Sequence, residues 1–174
     1  QDFETLLGPH GAYGGCWCMW WRQMRKDFER LKGEENRKLF KVIVDRGEIP
    51  GLLAYVDGKP AGWMALAPRC EYPTMQRSKV MAAVDDQPVW VVSCFYIGKG
   101  YRRQGLTVQL LRAGVQFAAG QGAKIIEGYP TDPGEKAHVD AYVYTGLLSA
   151  FIRAGFKEVL RRAEKRPIMR YEVE

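Results

Sequence analysis

The chain has 174 residues, enough for one domain with a proper core, and its apolar and charged fractions of 47% and 26% are those of an ordinary globular protein. No apolar run approaches the ~20 residues that a membrane-spanning helix needs, and no signal peptide is read, although the first residue is Gln1 rather than Met. The net charge of +6 favours anionic partners. Those partners are nucleic acid or a phosphate-rich small molecule, but the cations are spread along the chain with one cluster at Arg161, Arg162, Lys165 and Arg166, a pattern more typical of a solvated surface than of a nucleic-acid footprint.

In chain order, the first unusual segment is "GGCWCMWWR", Gly14 to Arg22, with two cysteines and three tryptophans. Alternation would place Cys16, Cys18 and Trp20 on one side and Trp17, Met19 and Trp21 on the other, as in a strand buried on both faces. The alternative is an aromatic wall of a pocket that recognises an amine by cation–π contact. Cys16 and Cys18 offer half of a zinc site, yet Cys70 and Cys94 stand alone and His10 and His138 have no ligand spacing, so no metal is expected. Free thiols suggest a reducing, cytoplasmic compartment.

Glu34 to Arg46 reads as a helix, with Leu39, Phe40, Val42 and Ile43 inward. Leu52–Val56 and Gly62–Ala67 read as a hairpin around Asp57-Gly58-Lys59-Pro60, Asp-Gly being a favoured turn pair. The stretch from Cys70 to Val89 holds Pro73 and Pro88 and reads as a long excursion. Val89–Ile97, rich in β-branched and aromatic residues, is the strongest strand. Thr107–Gln121 reads as a helix with Leu110, Leu111, Gly114, Val115 and Ala118 inward, ended by Gly120-Gln121-Gly122. "AKIIEGYP" is a strand stopped by Pro130, and "TDPGEKAHVDA" is a loop. Tyr144, Leu147, Leu148, Phe151 and Ile152 fall on one helical face, and Gly155 caps that helix. The last residues form two strands around a turn. The order predicts an α/β fold: a mixed sheet with helices on its faces.

"CFYIGKGYRRQGLT", Cys94 to Thr107, hands a strand over to a helix through Gly and Arg. A helix start leaves its first N–H groups unpaired and carries about half a positive charge. Gly lets a ligand approach that backbone, and Arg102 and Arg103 make a phosphate or pyrophosphate the natural guest. A plain turn with solvent-facing arginines explains the same residues. No Gly-Lys-Ser/Thr follows, so the stretch is not a Walker loop, nor is it a dinucleotide-binding GxGxxG.

Arg102-Arg103-Gln104-Gly105-Leu106-Thr107 resembles the acetyl-CoA pyrophosphate loop of the GNAT superfamily of N-acetyltransferases, Gln/Arg-x-x-Gly-x-Gly/Ala, with Thr107 in place of the last small residue. "SAFIRAGFKEV", from Ser149, is similar to the helix and Gly-Phe pair near the end of that family's domain. The resemblance covers Leu52 to Val173. It implies one domain over residues 1–174 with a mostly antiparallel sheet, splayed central strands and helices on both faces. It also implies acetyl-CoA as cosubstrate. Backbone amides from Arg103 to Thr107 would hold the pyrophosphate, and Phe95, Tyr96 and Ile97 would bond the pantetheine arm, with Phe151 beside the thiol.

The implied reaction is attack of a primary amine on the thioester, by direct transfer. Glu127, sharing its strand face with Ile125 and Tyr129, stands where some members carry a catalytic Glu; Asp85 and Asp86 are the next candidates for the base. Many members place a tyrosine acid four residues before the Gly of the Gly-Phe pair, and here that residue is Phe151. Tyr144 is then the candidate acid, expected about 10 Å from Phe151 along one helix, with Tyr129, Tyr142 and Ser149 as alternatives. A CoA-binding module without catalysis and a nucleic-acid-binding domain are the competing functional classes. The acceptor is unspecified, and a homodimer is compatible with the sequence.

Overall fold

The computed structural model describes residues 1–134 and 143–173. Its strands are β1 (Gly51–Val56), β2 (Lys59–Pro68), β3 (Trp90–Ile97), β4 (Ile125–Gly128), β5 (Lys157–Ala163) and β6 (Arg166–Glu172). They form one open six-stranded sheet in the order β1-β2-β3-β4-β6-β5. Every neighbouring pair is antiparallel except β3–β4. The predicted hairpin is present with a tighter turn than expected. Val56 pairs with Lys59, and Asp57 and Gly58 take φ of 48° and 72°, the left-handed pair that matches strand twist.

One face of the sheet is covered by α5 (Leu106–Gly120) and α6 (Leu148–Arg153). The predicted inward stripe of α5 is buried, and Val108, Leu111, Val115 and Ala118 share a core with Met64, Leu66, Val92, Ile126 and Phe151. Gly114 is required there: a Cβ would come within 2.3 Å of the Met64 methyl group. The other face carries α1 (Asp2–Leu7), α2 (Arg25–Leu31) and α3 (Glu34–Asp45), with Met19, Phe28 and Phe40 packed on Trp63 and Ala65. Helix α3 touches the molecule along a narrower line than its periodicity suggests. Asn36 and Phe40 are buried and Ile43 packs beside them, while Leu39 and Val42 face outward.

The excursion after β2 runs through α4 (Pro73–Gln76) and anchors Tyr72, Met75 and Met81 in a separate core with Val91, Ile125, Tyr129 and Ile168.

Two expectations are corrected. Gly14–Arg22 is not a strand: Gly11–Gly15 are a kinked turn whose backbone is non-helical at Ala12, Tyr13 and Gly14, and the residues beyond run through irregular turns. Gly11, Gly14 and Gly15 all have positive φ, as do Trp17 and Cys18, so the alternation in sequence never becomes an extended chain. The last helix is also shorter than its pattern. It begins at Leu148, because Gly146 turns with φ of 88° against the rings of Phe95 and Phe151, and Leu147 bridges to Thr131. Tyr144 therefore lies in a turn ahead of α6, off the helix that carries Phe151.

Candidate active site

The two halves of the sheet are held together by three residue pairs. Trp90, Val91 and Val92 of β3 face Ile126, Glu127 and Gly128 of β4, and the strands then part. The parting coincides with a bulge. Leu66 of β2 pairs with Val92 and Ala65 with Cys94, leaving Ser93 as an extra residue in β3 with its side chain buried. Past the bulge, Phe95, Tyr96 and Ile97 remain paired to β2, and their other edge opens into a cavity of about 1160 Å³. Gly128 marks the other side of the fork: a Cβ there would sit 2.2 Å from the Phe151 ring.

Part of the open edge is occupied by the chain itself. The Phe95 N–H donates to the Tyr144 carbonyl at 2.6 Å. The Ile97 carbonyl accepts from Arg102 Nε at 3.2 Å.

The cavity continues along the predicted phosphate loop. After a short helical turn at Lys99–Tyr101, Arg103 takes φ of 60° and Gly105 φ of 80°, and Gly105 is the N-cap of α5. These two left-handed residues turn the loop so that α5 begins at the cavity, where its first amides have no acceptor within the helix. Lys99, Arg102, Arg103 and Arg153 line the same end. The surface therefore combines amide donors, a helix start and guanidinium groups, a set matched to a pyrophosphate.

Of the predicted cofactor-contacting residues, Phe95, Tyr96, Ile97, Arg102, Arg103, Gly105, Leu106 and Thr107 line this cavity. Gln104 is not a wall residue; its amide donates to the Gly100 carbonyl at 3.0 Å and stiffens the loop. Phe151 is fully buried behind the wall, edge-on to Phe95 and Phe156.

Among the acid candidates, Tyr144 and Ser149 line the cavity. Burial pushes the Tyr144 phenol up to about 12, reinforced by the nearby Cys94, with Arg166 and the Trp20 indole pulling the other way. Tyr142, like His138, lies outside the described residues.

Glu127 is 1% exposed and is not among the residues that line the cavity. Its face does hold Ile125 and Tyr129, as expected, but both oxygens are engaged within the protein. Oε1 accepts from the Tyr129 hydroxyl and from Arg69 Nη1 at 3.3 Å, and Oε2 accepts from Arg170 Nε at 2.8 Å. Arg170 also grips Asp85 through two bonds, at 2.6 and 3.0 Å. That pairing, above all, holds the Asp85 carboxyl down at about 2. Glu127, Arg69, Arg170 and Asp85 form a charge-balanced network. It joins the end of β2, the excursion, β4 and β6 on the sheet face away from α5. Neither Asp85 nor Asp86 reaches the cavity wall.

The segment at Gly14–Arg22 does contribute a wall. Cys16, Cys18, Trp20 and Trp21 line the cavity with Tyr13, facing Cys94 and Tyr96 of β3, whereas Trp17 is buried in the core. The sequence singles out this segment for its composition, but it carries no signal that Cys94 would meet it.

The fold has parallels among known proteins. Residues 16–142 match the model of the acetyltransferase (GNAT) family, and the chain belongs to that family. No curated protein matches the sequence. The structure of PaiA N-acetyltransferase from Thermoplasma acidophilum in complex with coenzyme A is similar over 99% of this chain and 93% of that one, with 16% identity and a TM-score of 0.54. A GNAT-family acetyltransferase from Listeria monocytogenes 4b F2365 covers 87% and 78% of the two chains, with 10% identity and a TM-score of 0.55. Ribosomal-protein-alanine N-acetyltransferase from Brucella melitensis covers 80% and 78%, with 16% identity and a TM-score of 0.51. At these identities the likeness is one of fold: a mixed α/β structure with a mostly antiparallel, open, six-stranded sheet.

Proposed function

We propose that the chain transfers an acetyl group from acetyl-CoA directly to a primary amine. The observation that carries this reading is the fork between β3 and β4 opening into the cavity that the arginine loop and the start of α5 also line. Amides from Arg103 to Thr107, with Arg102 and Arg103, hold the pyrophosphate. The cavity-facing edge of Phe95–Ile97 holds the pantetheine arm once the Tyr144 carbonyl and the Arg102 side chain give way. The Phe95 N–H, which donates to Tyr144 in this state, turns to the thioester oxygen and stabilises negative charge there during attack.

The acceptor enters from the wall made by Tyr13, Cys16, Trp20 and Trp21, on the face opposite α5. An alkylamine is less than about 0.1% neutral at pH 7, so it must lose a proton before attacking. In this proposal the proton leaves through water in the cavity, and Glu127 serves as the centre of the buried ion network instead of as the base. Tyr144, kept protonated by its burial, donates to the departing thiolate.

Thiol release from acetyl-CoA, assayed with a panel of alkylamines, amino acids and peptide amines, tests this directly. Amine-dependent release with a matching N-acetyl product is expected. Binding of acetyl-CoA without release for any amine would leave a cofactor-binding domain and overturn the catalytic reading.

A further inference from the structure

The wall that faces β3 contains thiols that acetyl transfer does not use. Cys18 comes from the irregular N-terminal segment and Cys94 from β3, and both line the cavity beside Cys16. Both also pack in one apolar cluster with Trp63 and Tyr96. The Cys18 sulfur also accepts the Trp63 indole N–H at 2.9 Å. The backbone that presents it is unusual: Trp17 and Cys18 have consecutive φ values of 45° and 57°, a left-handed turn with no glycine in it. Among the described residues, no three His, Cys, Asp or Glu side chains are placed to hold a metal ion. The geometry is therefore that of two thiols on one cavity wall and in one apolar cluster, with the Trp63 indole N–H donating to one of them.

We propose that Cys18 and Cys94 are a redox-active thiol pair, oxidised by peroxides to a disulfide that ties the N-terminal segment to β3 inside the cavity. Cys18 is the attacking sulfur. The Cys94 thiol, the Trp63 indole and Arg22 hold the Cys18 thiol below its ordinary value against the opposing effect of burial. Cys94 is raised well above its ordinary value by its hydrogen bond to Cys18 and by burial, and Cys16 is pushed up to about 11 by burial, so both stay protonated. In the first step the Cys18 thiolate attacks one peroxide oxygen. The S–O bond forms, the O–O bond breaks, sulfur gives up two electrons, and the leaving hydroxide is protonated to water. In the second step the Cys94 sulfur attacks the sulfenic acid, the S–S bond forms, and the S–O bond breaks. The Cys94 proton leaves with that oxygen as a second water. Two thiols and one hydrogen peroxide thus give one disulfide and two waters. The disulfide would fix the acceptor wall directly beside Phe95.

The test is limiting hydrogen peroxide on the full native chain, followed by alkylation of the remaining thiols and peptide mapping by mass spectrometry. The expected product is a Cys18–Cys94 disulfide, lost on treatment with dithiothreitol, with Cys16 and Cys70 recovered alkylated. Cys70 is the internal control, being exposed and outside the cavity. Cys94→Ser should stop the reaction at a Cys18 sulfenic acid that dimedone traps, and Cys18→Ser should leave Cys94 a thiol. The wild-type map stands by itself if either variant folds poorly. A disulfide involving Cys16 or Cys70, or oxidation of Cys70 while Cys18 and Cys94 remain thiols, would overturn the proposal.

Discussion

Glu127 and Tyr144 both looked catalytic in the sequence, and their surroundings now separate them. Glu127 sits among Arg69, Arg170 and Tyr129. Replacing it with Gln removes the central negative charge from two buried guanidinium groups, one of which keeps Asp85. Breaking a buried pair of this kind costs about 3 kcal/mol, or roughly 6–12 °C in melting temperature for a domain of this size. The expected result for Glu127→Gln is that loss, seen by calorimetry, with turnover per folded molecule changed less than about tenfold. A general base would give the opposite pattern, an unchanged melting temperature and a rate lower by ~10²–10⁴. Tyr144→Phe keeps the ring in the cavity and deletes the donor. Its single-turnover rate should fall, and by less than a lost base would cost, because a thiol near pKa 8.5 is already a fair leaving group. Equal rates would pass the acid role to Ser149 or solvent.

At the scale of elements, the loop before α5 and the excursion before β3 each depend on one contact type. In the loop, Gly105 is left-handed with open space around the position of a Cβ, so the strain of a side chain there is conformational and its charge decides what binds. Acetyl-CoA should raise the melting temperature of the wild type by mass action. Gly105→Asp should abolish that rise by setting a carboxylate in the phosphate site; an undiminished rise would dissociate the loop from cofactor binding. The excursion is held to β6 by Asp85 and Arg170. The Asp85 carboxyl is depressed from an unfolded value near 3.9 to about 2, so its stabilisation is complete above ~4 and is lost as pH falls through 2. The difference in urea midpoint between wild type and Asp85→Asn should therefore be constant from neutrality to about pH 4 and should vanish near pH 2. A difference that persisted unchanged to pH 2 would mean the pairing makes no linked contribution.

For the whole molecule, the sheet and the turn into α5 were legible because they rest on local chemistry. A run rich in β-branched and aromatic residues specifies β3, Asp-Gly specifies the hairpin turn, and Arg103-Gln104-Gly105 ahead of an apolar stripe specifies the start of α5. What was not legible was decided by long-range contacts. The periodicity from Tyr144 to Ile152 is helical, but Gly146 is turned by the rings of Phe95 and Phe151, which come from distant parts of the chain. Glu127 reads as a candidate base beside Ile125 and Tyr129, and its ion partners, Arg170 across the strand pair in β6 and Arg69, come from distant parts of the chain. The placement of Cys18 and Cys94 on one cavity wall is likewise a product of topology and leaves no trace in spacing.

The fork between β3 and β4 carries a consequence for the life of the protein in a cell. Among the described residues, three residue pairs join the leaf β1-β2-β3 to the leaf β4-β6-β5 along the sheet. In the proposed complex the pantetheine arm runs along the cavity-facing edge of Phe95–Ile97, so the cosubstrate also serves as a splint across this seam. Scarcity of acetyl-CoA would then lower the cost of opening the leaves and expose backbone to proteases, whereas abundance would protect it. The amount of enzyme would follow the supply of its own acetyl donor without any regulator, and proteolytic half-life measured across acetyl-CoA concentrations should lengthen in step with occupancy.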